Sequence, residues 1–343
     1  MAKVFFTREI TPEKVVKLYE MAGKELTGKV AVKLHSGEKE NQNFLGPDFW
    51  RPVIEKVGGT VVECNTAYDG ARNTTEKHRL LMKEHGWDRY FDVDLMDAEG
   101  PDLELSIPNG KMIKKNFVGK NMANYDSMLV LSHFKGHPMG GYGGALKQLS
   151  IGCASSFGKA YIHGAGVPEE KWTADHDSFL ESMADAASSV VEYFKGNIVY
   201  VNVMKNMSVD CDCCSVAEDP CMKDIGILVS LDPIAIDQAC IDLVYAATDD
   251  PGQKHFLLLR VKCGPFHPQR PGNGGVSRIE NKIHIAAPVV PLHIGKHLGK
   301  RRLLSGKAHD HLNIPLRRKD EPDKKPLGHA VLRNGKGKLA GPR

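Results

Sequence analysis

No apolar run in this chain approaches the roughly 20 residues that a bilayer-spanning helix needs. The N-terminal stretch from Met1 to Glu9 has none of the plan of a secretory signal. Both absences point to the cytoplasm, where thiols stay reduced. The eight cysteines are therefore read as ligands or buried apolar residues rather than disulfides. The chain also carries no P-loop, no dinucleotide fingerprint and no internal repeat, and nothing in it reads C-x2-C-x2-C-x3-C-P. Nucleotide binding by motif and a ferredoxin-type cluster repeat are both excluded. What remains is ordinary for a globular protein: 343 residues, 41% hydrophobic and 26% charged, enough for one large core or two modest ones.

The net charge of +4 conceals a division. Residues 261–343 hold 18 Lys/Arg against 5 Asp/Glu, leaving 28 against 37 for residues 1–260. An acidic body thus precedes a strongly basic tail. The tail has no aromatic residue except Phe266, so nucleic-acid contact there would be electrostatic and without sequence preference.

Strand and helix patterns alternate along the body. Lys3–Thr7 reads as a strand, and Thr11 with Pro12 opens a helix running to about Leu26. Val30–Leu34 and Thr60–Cys64 read as strands around a helix over Pro47–Val57, and Thr74–His85 as a charged amphipathic helix. Ser127–Ser132, Ile198–Val203 and Ile225–Ser230 are continuous rather than alternating apolar runs, as expected of strands buried on both faces. Phe179–Phe194 and Pro233–Ala247 read as helices. Past Arg260 no periodicity persists, and seven of the fifteen histidines fall there. Such a segment buries too little apolar surface to offset its ordering entropy.

The densest group of soft-metal ligands lies in Val209–Ser215, where Cys211, Cys213 and Cys214 alternate with Asp210 and Asp212, and Cys221 follows. Thiolates hold zinc and iron–sulfur clusters, and the carboxylates add oxygen ligands or tune the thiolates. Three thiolates in four residues cannot all reach one tetrahedral ion without strain, so Cys214 is read as the bystander. Farther on, Asp232 reads as the N-cap of a helix that Pro233 opens. Asp237, one turn later, is a candidate site carboxylate; Asp242 falls off that face.

A second constellation follows the Ser127–Ser132 strand. His133, Lys135 and His137 lead into a loop containing Gly140, Gly141, Gly143 and Gly144, with Lys147 one turn into the next helix and Cys153 beyond it. A strand feeding a glycine-rich loop and then a helix points backbone N–H groups at an anion. The four glycines would form that cradle, Lys147 would bind a carboxylate or phosphate, and His133 or His137 would ligate or move protons. Cys153 reads either as a packing cysteine or as a ligand, whereas Cys64 and Cys240 read as core. Arg72, after a strand-end turn, suits a carboxylate partner, read as structural.

Ser132–His137, Gly143–Lys147, Ser150–Ser156 with Gly158 and Lys159, Asn65–Arg72, Val209–Cys213 and Asp224–Ala239 together resemble the DUF362 family over roughly residues 2–256. The resemblance implies an iron–sulfur-associated protein of unassigned reaction, here in a short form without the ferredoxin-like insert common among members. The chain departs from the family pattern at Cys214, where short relatives show aspartate, at the extra Cys221, and at its end. There Gly264–Gln269 and Arg278–Lys282 echo the family's terminal elements only faintly. Charge reversal, lost periodicity and an overlong terminus fit a shifted reading frame near codon 257.

The expectation is an α/β fold: a mostly parallel sheet flanked by helices, with residues 1–256 as one unit of one or two lobes and residues 257–343 as a basic irregular tail. The expected function is a cytosolic protein binding an iron–sulfur cluster or a divalent transition metal, acting by redox or metal-assisted chemistry on a small anionic substrate or with a redox or acceptor protein. Cys211, Cys213, Asp212 and Cys153 are the candidate ligands; His133, His137, Lys147 and Asp237 are the candidate catalytic groups. The alternatives are a metal-free enzyme with an anion-binding glycine loop and a histidine base, and a metal carrier without turnover.

Overall fold

Local chemistry sets the first boundaries. Thr11 caps α1 (Pro12–Ala22) by accepting the Lys14 N–H, and Gly23 ends it at φ 67°. The left-handed turn at Gly23 is why this helix stops short of Leu26. Gly58 closes α2 (Pro47–Val57) at φ 60°, and Thr74 caps α3 (Thr75–Glu84). The computed structural model describes residues 2–262 and 282–285.

The strands in chain order are β1 (Lys3–Thr7), β2 (Val30–Lys33), β3 (Thr60–Glu63), β4 (Val93–Leu95), β5 (Leu103–Ser106), β6 (Lys115–Val118), β7 (Ser127–His133), β8 (Lys135–His137), β9 (Gly141–Gly143), β10 (Ile198–Met204), β11 (Gly226–Ser230) and β12 (Lys282–Ile285). The remaining helices are α4 (Ala145–Lys147), α5 (Ser156–His163), α6 (His176–Tyr193), α7 (Pro233–Ala246) and α8 (Gln253–Lys262). A π-helical turn, Gln148–Gly152, follows α4 directly.

The main sheet runs β12-β1-β11-β10-β7-β2-β3-β4. The five strands from β10 to β4 are mutually parallel, whereas β11 is antiparallel to both β10 and β1. The fold is α/β with a mostly parallel sheet, as expected. On β7, Met128 and Val130 join the core on one face, and Leu129 and Leu131 join the core on the other. The first face is covered by Ala187 and Val190 of α6 and Ile236 and Cys240 of α7. The second is covered by Val15 and Leu18 of α1 and Trp50 and Ile54 of α2. This two-sided burial accounts for the continuous apolar runs.

All described residues belong to one compact unit. The expected boundary at residue 256 falls inside α8, and β12 is a regular element within the stretch expected to be irregular. Otherwise the expectations for the tail, including its nucleic-acid contact and reading frame, lie outside the described residues. Among the described residues no helix is long and apolar enough to cross a membrane.

Candidate metal centre in a cation-lined cavity

Four adjacent parallel strands, β3, β2, β7 and β10, deliver their carboxyl ends to one edge of the sheet, where open α/β sheets bind ligands. Each contributes to a cavity of about 200 Å³. Lys33 and His35 come from the end of β2; Glu63, Cys64 and Arg72 come from the end of β3. The β7 connection supplies His137 and Lys147, and the loop after β10 supplies Cys211 and Cys213.

The glycine-rich segment is a short hairpin, β8 paired with β9, rather than an open loop. Gly136 lets it lie against the cysteine loop. Its N–H donates to Ser208 O at 2.8 Å, and a Cβ there would stand 2.3 Å from Val209 O. This approach brings His137, Cys211 and Cys213 together, with one donor atom from each lying within 4.8 Å of the others. His137 Nδ1 accepts the N–H groups of Gly140 at 2.8 Å and Met139 at 3.2 Å, so the neutral ring carries its proton on Nε2, facing the thiols, and ligation through Nε2 would displace that proton. Burial and the Lys147 charge lower its pKa, favouring the neutral ring.

The two thiols are shifted in opposite directions. The hydrogen bond from Cys213, reinforced by Lys147 and His137 against the effect of burial, holds Cys211 well below the usual thiol range. The same hydrogen bond, with another to Cys214 and with burial, pushes Cys213 up. Lys147 Nζ lies 3.5 Å from Cys211 Sγ. Cys214 is half-exposed and outside the group of three.

The remaining expected residues occupy other positions. Asp212 is not in the ligand group; its carboxylate lies 2.6 Å from Lys135 Nζ and 2.9 Å from His133 Nδ1. Burial opposes its ionisation, but His133 and Lys135 outweigh burial and depress its pKa. His133 Nε2 meets Lys205 O at 2.5 Å, so both of its ring nitrogens face oxygen acceptors and neither lone pair is directed at a metal. Cys153 lies outside the ligand group, and burial raises its thiol to about 11.

Asp237 is buried away from the cavity lining. It accepts Ala145 N at 2.8 Å, Leu146 N at 3.0 Å and Asn202 Nδ2 at 2.7 Å. The backbone N–H groups expected to cradle an external anion after Gly144 therefore bind the chain's own carboxylate. Burial, partly offset by these donors, raises its pKa to about 6. Among the four glycines, Gly143 and Gly144 line the cavity, whereas Gly140 serves His137 and Gly141 turns the hairpin at φ 74°.

Sequence reasoning missed the cavity's other wall. Lys33 donates to Glu63 at 2.8 Å and to Gln148 at 3.0 Å. Glu63, destabilised by burial, is held below the ordinary carboxylate range chiefly by Lys33. Arg72 does find the structural partner expected of it, Glu38, at 3.0 Å. Lys159 and His163 of α5 also face the cavity; Lys159 stands in one of the family-like segments but takes no site role from it, and nothing in the sequence singles out His163. Ser132 Oγ, at the cavity wall, is buried without a hydrogen-bond partner among the described residues.

Among solved structures the chain is similar to a Thermotoga maritima protein determined as a Northeast Structural Genomics Consortium target. They share 13% identity and a TM-score of 0.43, with 69% of this chain and 60% of that one covered. It is also similar to the lactate racemase apoprotein from Thermoanaerobacterium thermosaccharolyticum, at 15% identity and a TM-score of 0.38, covering 58% of this chain and 50% of that one. The chain thus spans less than two thirds of the length of either structure. No curated protein matches it. Over residues 30–242, well over half its length, the chain matches the family model described as domain of unknown function (DUF362), and it belongs to that family.

Proposed function

We propose that this protein binds a thiophilic metal ion through His137, Cys211 and Cys213 and acts on a small anionic molecule in the adjoining cavity. The convergence of the three donor atoms within 4.8 Å carries the reading. Two sulfurs and one imidazole suit a tetrahedral divalent ion with one position left for substrate or water. A four-iron cluster calls for four ligands, usually cysteines, and only two cysteines stand in this group. The donor set therefore favours a mononuclear ion. Such an ion would supply Lewis-acid or electron-transfer chemistry at the cavity wall.

The cavity wall supports the anionic substrate. Lys33, Arg72, Lys135, Lys147 and Lys159 line it, with Glu63 as the lining carboxylate. Buried ion pairs contribute little net stability compared with apolar packing, so charges gathered at strand ends are better explained by a ligand. The orphaned Ser132 Oγ is a polar atom that such a ligand can meet. Free thiols in this number suit a reducing cytoplasm.

Anaerobic purification, metal analysis and a visible spectrum test the proposal. About one equivalent of ion per chain is expected, lost in Cys211→Ser with Cys213→Ser while the circular dichroism is retained. Less than about 0.3 equivalents after reconstitution would overturn it.

A further inference from the structure

Of the four lysines lining the cavity, Lys33 and Lys135 are paired with carboxylates, and Lys147 faces the Cys211 sulfur. Lys159 differs. Its Nζ donates to two neutral carbonyls, Ala154 O at 2.6 Å and Cys64 O at 3.5 Å, and has no carboxylate within ion-pair reach among the described residues. An ammonium there would have a third N–H with no acceptor among the described residues, directed at whatever the cavity holds. A neutral amine has two N–H groups for the two carbonyls and keeps a lone pair. Burial acts in the same direction, lowering the pKa of this lysine.

One helical turn on, His163 Nδ1 donates to Lys159 O at 2.7 Å, which assigns the lone pair to Nε2. Its ring is stacked on Phe179, with centroids 4.8 Å apart and planes at 19°. Nε2 has no hydrogen-bond partner among the described residues, and burial brings the pKa to about 4, keeping the ring neutral. The Lys147 ammonium is close enough to add to that depression. One wall of the cavity therefore holds an amine, a neutral imidazole and an ammonium.

We propose that Lys159 is a nucleophilic amine that condenses with the carbonyl group of a small 2-oxo acid bound in this cavity. The inference rests on the reading of the cavity as a site for an anionic substrate and names the class. The Nζ lone pair attacks the keto carbon, and the carbonyl π electrons move to oxygen. His163 Nε2 carries one proton from nitrogen to the alkoxide, giving the carbinolamine, and then a second from nitrogen to the hydroxyl, which leaves as water while a C=N bond stands in place of C=O. No oxidant or reductant is consumed. Lys147, whose ammonium has Cys211 Sγ as its hydrogen-bond partner, pairs with the substrate carboxylate.

The full-length protein, incubated near neutral pH with pyruvate and sodium cyanoborohydride, should acquire a reduced adduct on the Lys159 peptide before any surface lysine. Peptide mass spectrometry reads this on the wild-type chain, so the result does not depend on a variant folding. Lys147→Ala should raise the pyruvate concentration for half-labelling about tenfold or more. Acetaldehyde, which lacks the carboxylate, should label Lys159 with no such dependence. Surface lysines labelled while Lys159 stays unmodified would overturn the proposal, as would equal dependence of both probes on Lys147. Metal content measured on the same samples separates the readings. Labelling without metal counts against the metal site alone, and metal without labelling counts against the amine alone.

Discussion

Lys147 Nζ stands 3.5 Å from Cys211 Sγ, a half-buried ammonium against a buried thiolate. Together with the Cys213 hydrogen bond it keeps Cys211 ionised. Lys147→Met in metal-free protein should therefore move the thiolate titration to higher pH, read from ultraviolet thiolate absorbance. An unchanged titration would mean that the lysine does not sense the sulfur.

Metal binding should strengthen with pH. Cys213 holds its proton above the usual thiol range and must release it to ligate, so protons compete with the ion. Competition with a chromophoric chelator between about pH 6 and pH 8 should show affinity rising throughout. Cys214→Ser should leave stoichiometry unchanged. A flat profile would remove Cys213 from the ligand set.

Asp237→Asn should lower stability by about 1–3 kcal/mol. The Asn amide would bring its NH2 against a backbone N–H or the Asn202 amide, where Asp237 now accepts three bonds. A urea midpoint equal to wild type would show that the carboxylate is dispensable to this turn.

Gly136→Ala should weaken metal binding before it unfolds the protein. Its Cβ would stand 2.6 Å from Val209 Cα and 2.3 Å from Val209 O, pushing the His137 hairpin away from Cys211. Metal affinity and thermal midpoint, measured together, should fall unequally, with affinity losing more.

Acid should destabilise the site end of the sheet. Glu63 and Asp212 have folded pKa values below their ordinary 4.5 and 3.8, owing to Lys33 for the first and to His133 and Lys135 for the second. A depressed carboxylate contributes stability that is present above its unfolded pKa and lost as pH falls toward the folded one. Urea midpoints should hold from neutral pH to about pH 5 and then decline. In Glu63→Gln that decline should be shallower.

Much of this architecture was legible because single residues declare it. Thr11 with Pro12 and Gly58 after Val57 mark helix ends through capping chemistry that acts within a few residues. The doubly buried β7 and β10 declare themselves by continuous hydrophobicity. The direction of β11 was not legible, since a strand buried on both faces looks the same parallel or antiparallel. The role of Asp237 was hidden because its partners, Ala145 and Leu146, are over ninety residues away. The thiols were visible as a cluster, but whether His133 or His137 meets them depends on the hairpin turn and on Gly136. Lys159 stood in a family-like segment and His163 in none, but the surroundings that set both apart are formed only in space.

The joining of the β8–β9 hairpin to the cysteine loop also has a kinetic side. His137 and Cys211 are 74 residues apart in the chain, with α6 and β10 between them. An ion held by both would act as a removable staple on that long excursion, opposing a loop-closure entropy of roughly 4 kcal/mol. Amide hydrogen exchange in the hairpin and in the Val209–Cys214 turn should then slow together when the ion is bound. The interior of β7, already locked between β2 and β10, should exchange at the same rate with or without it.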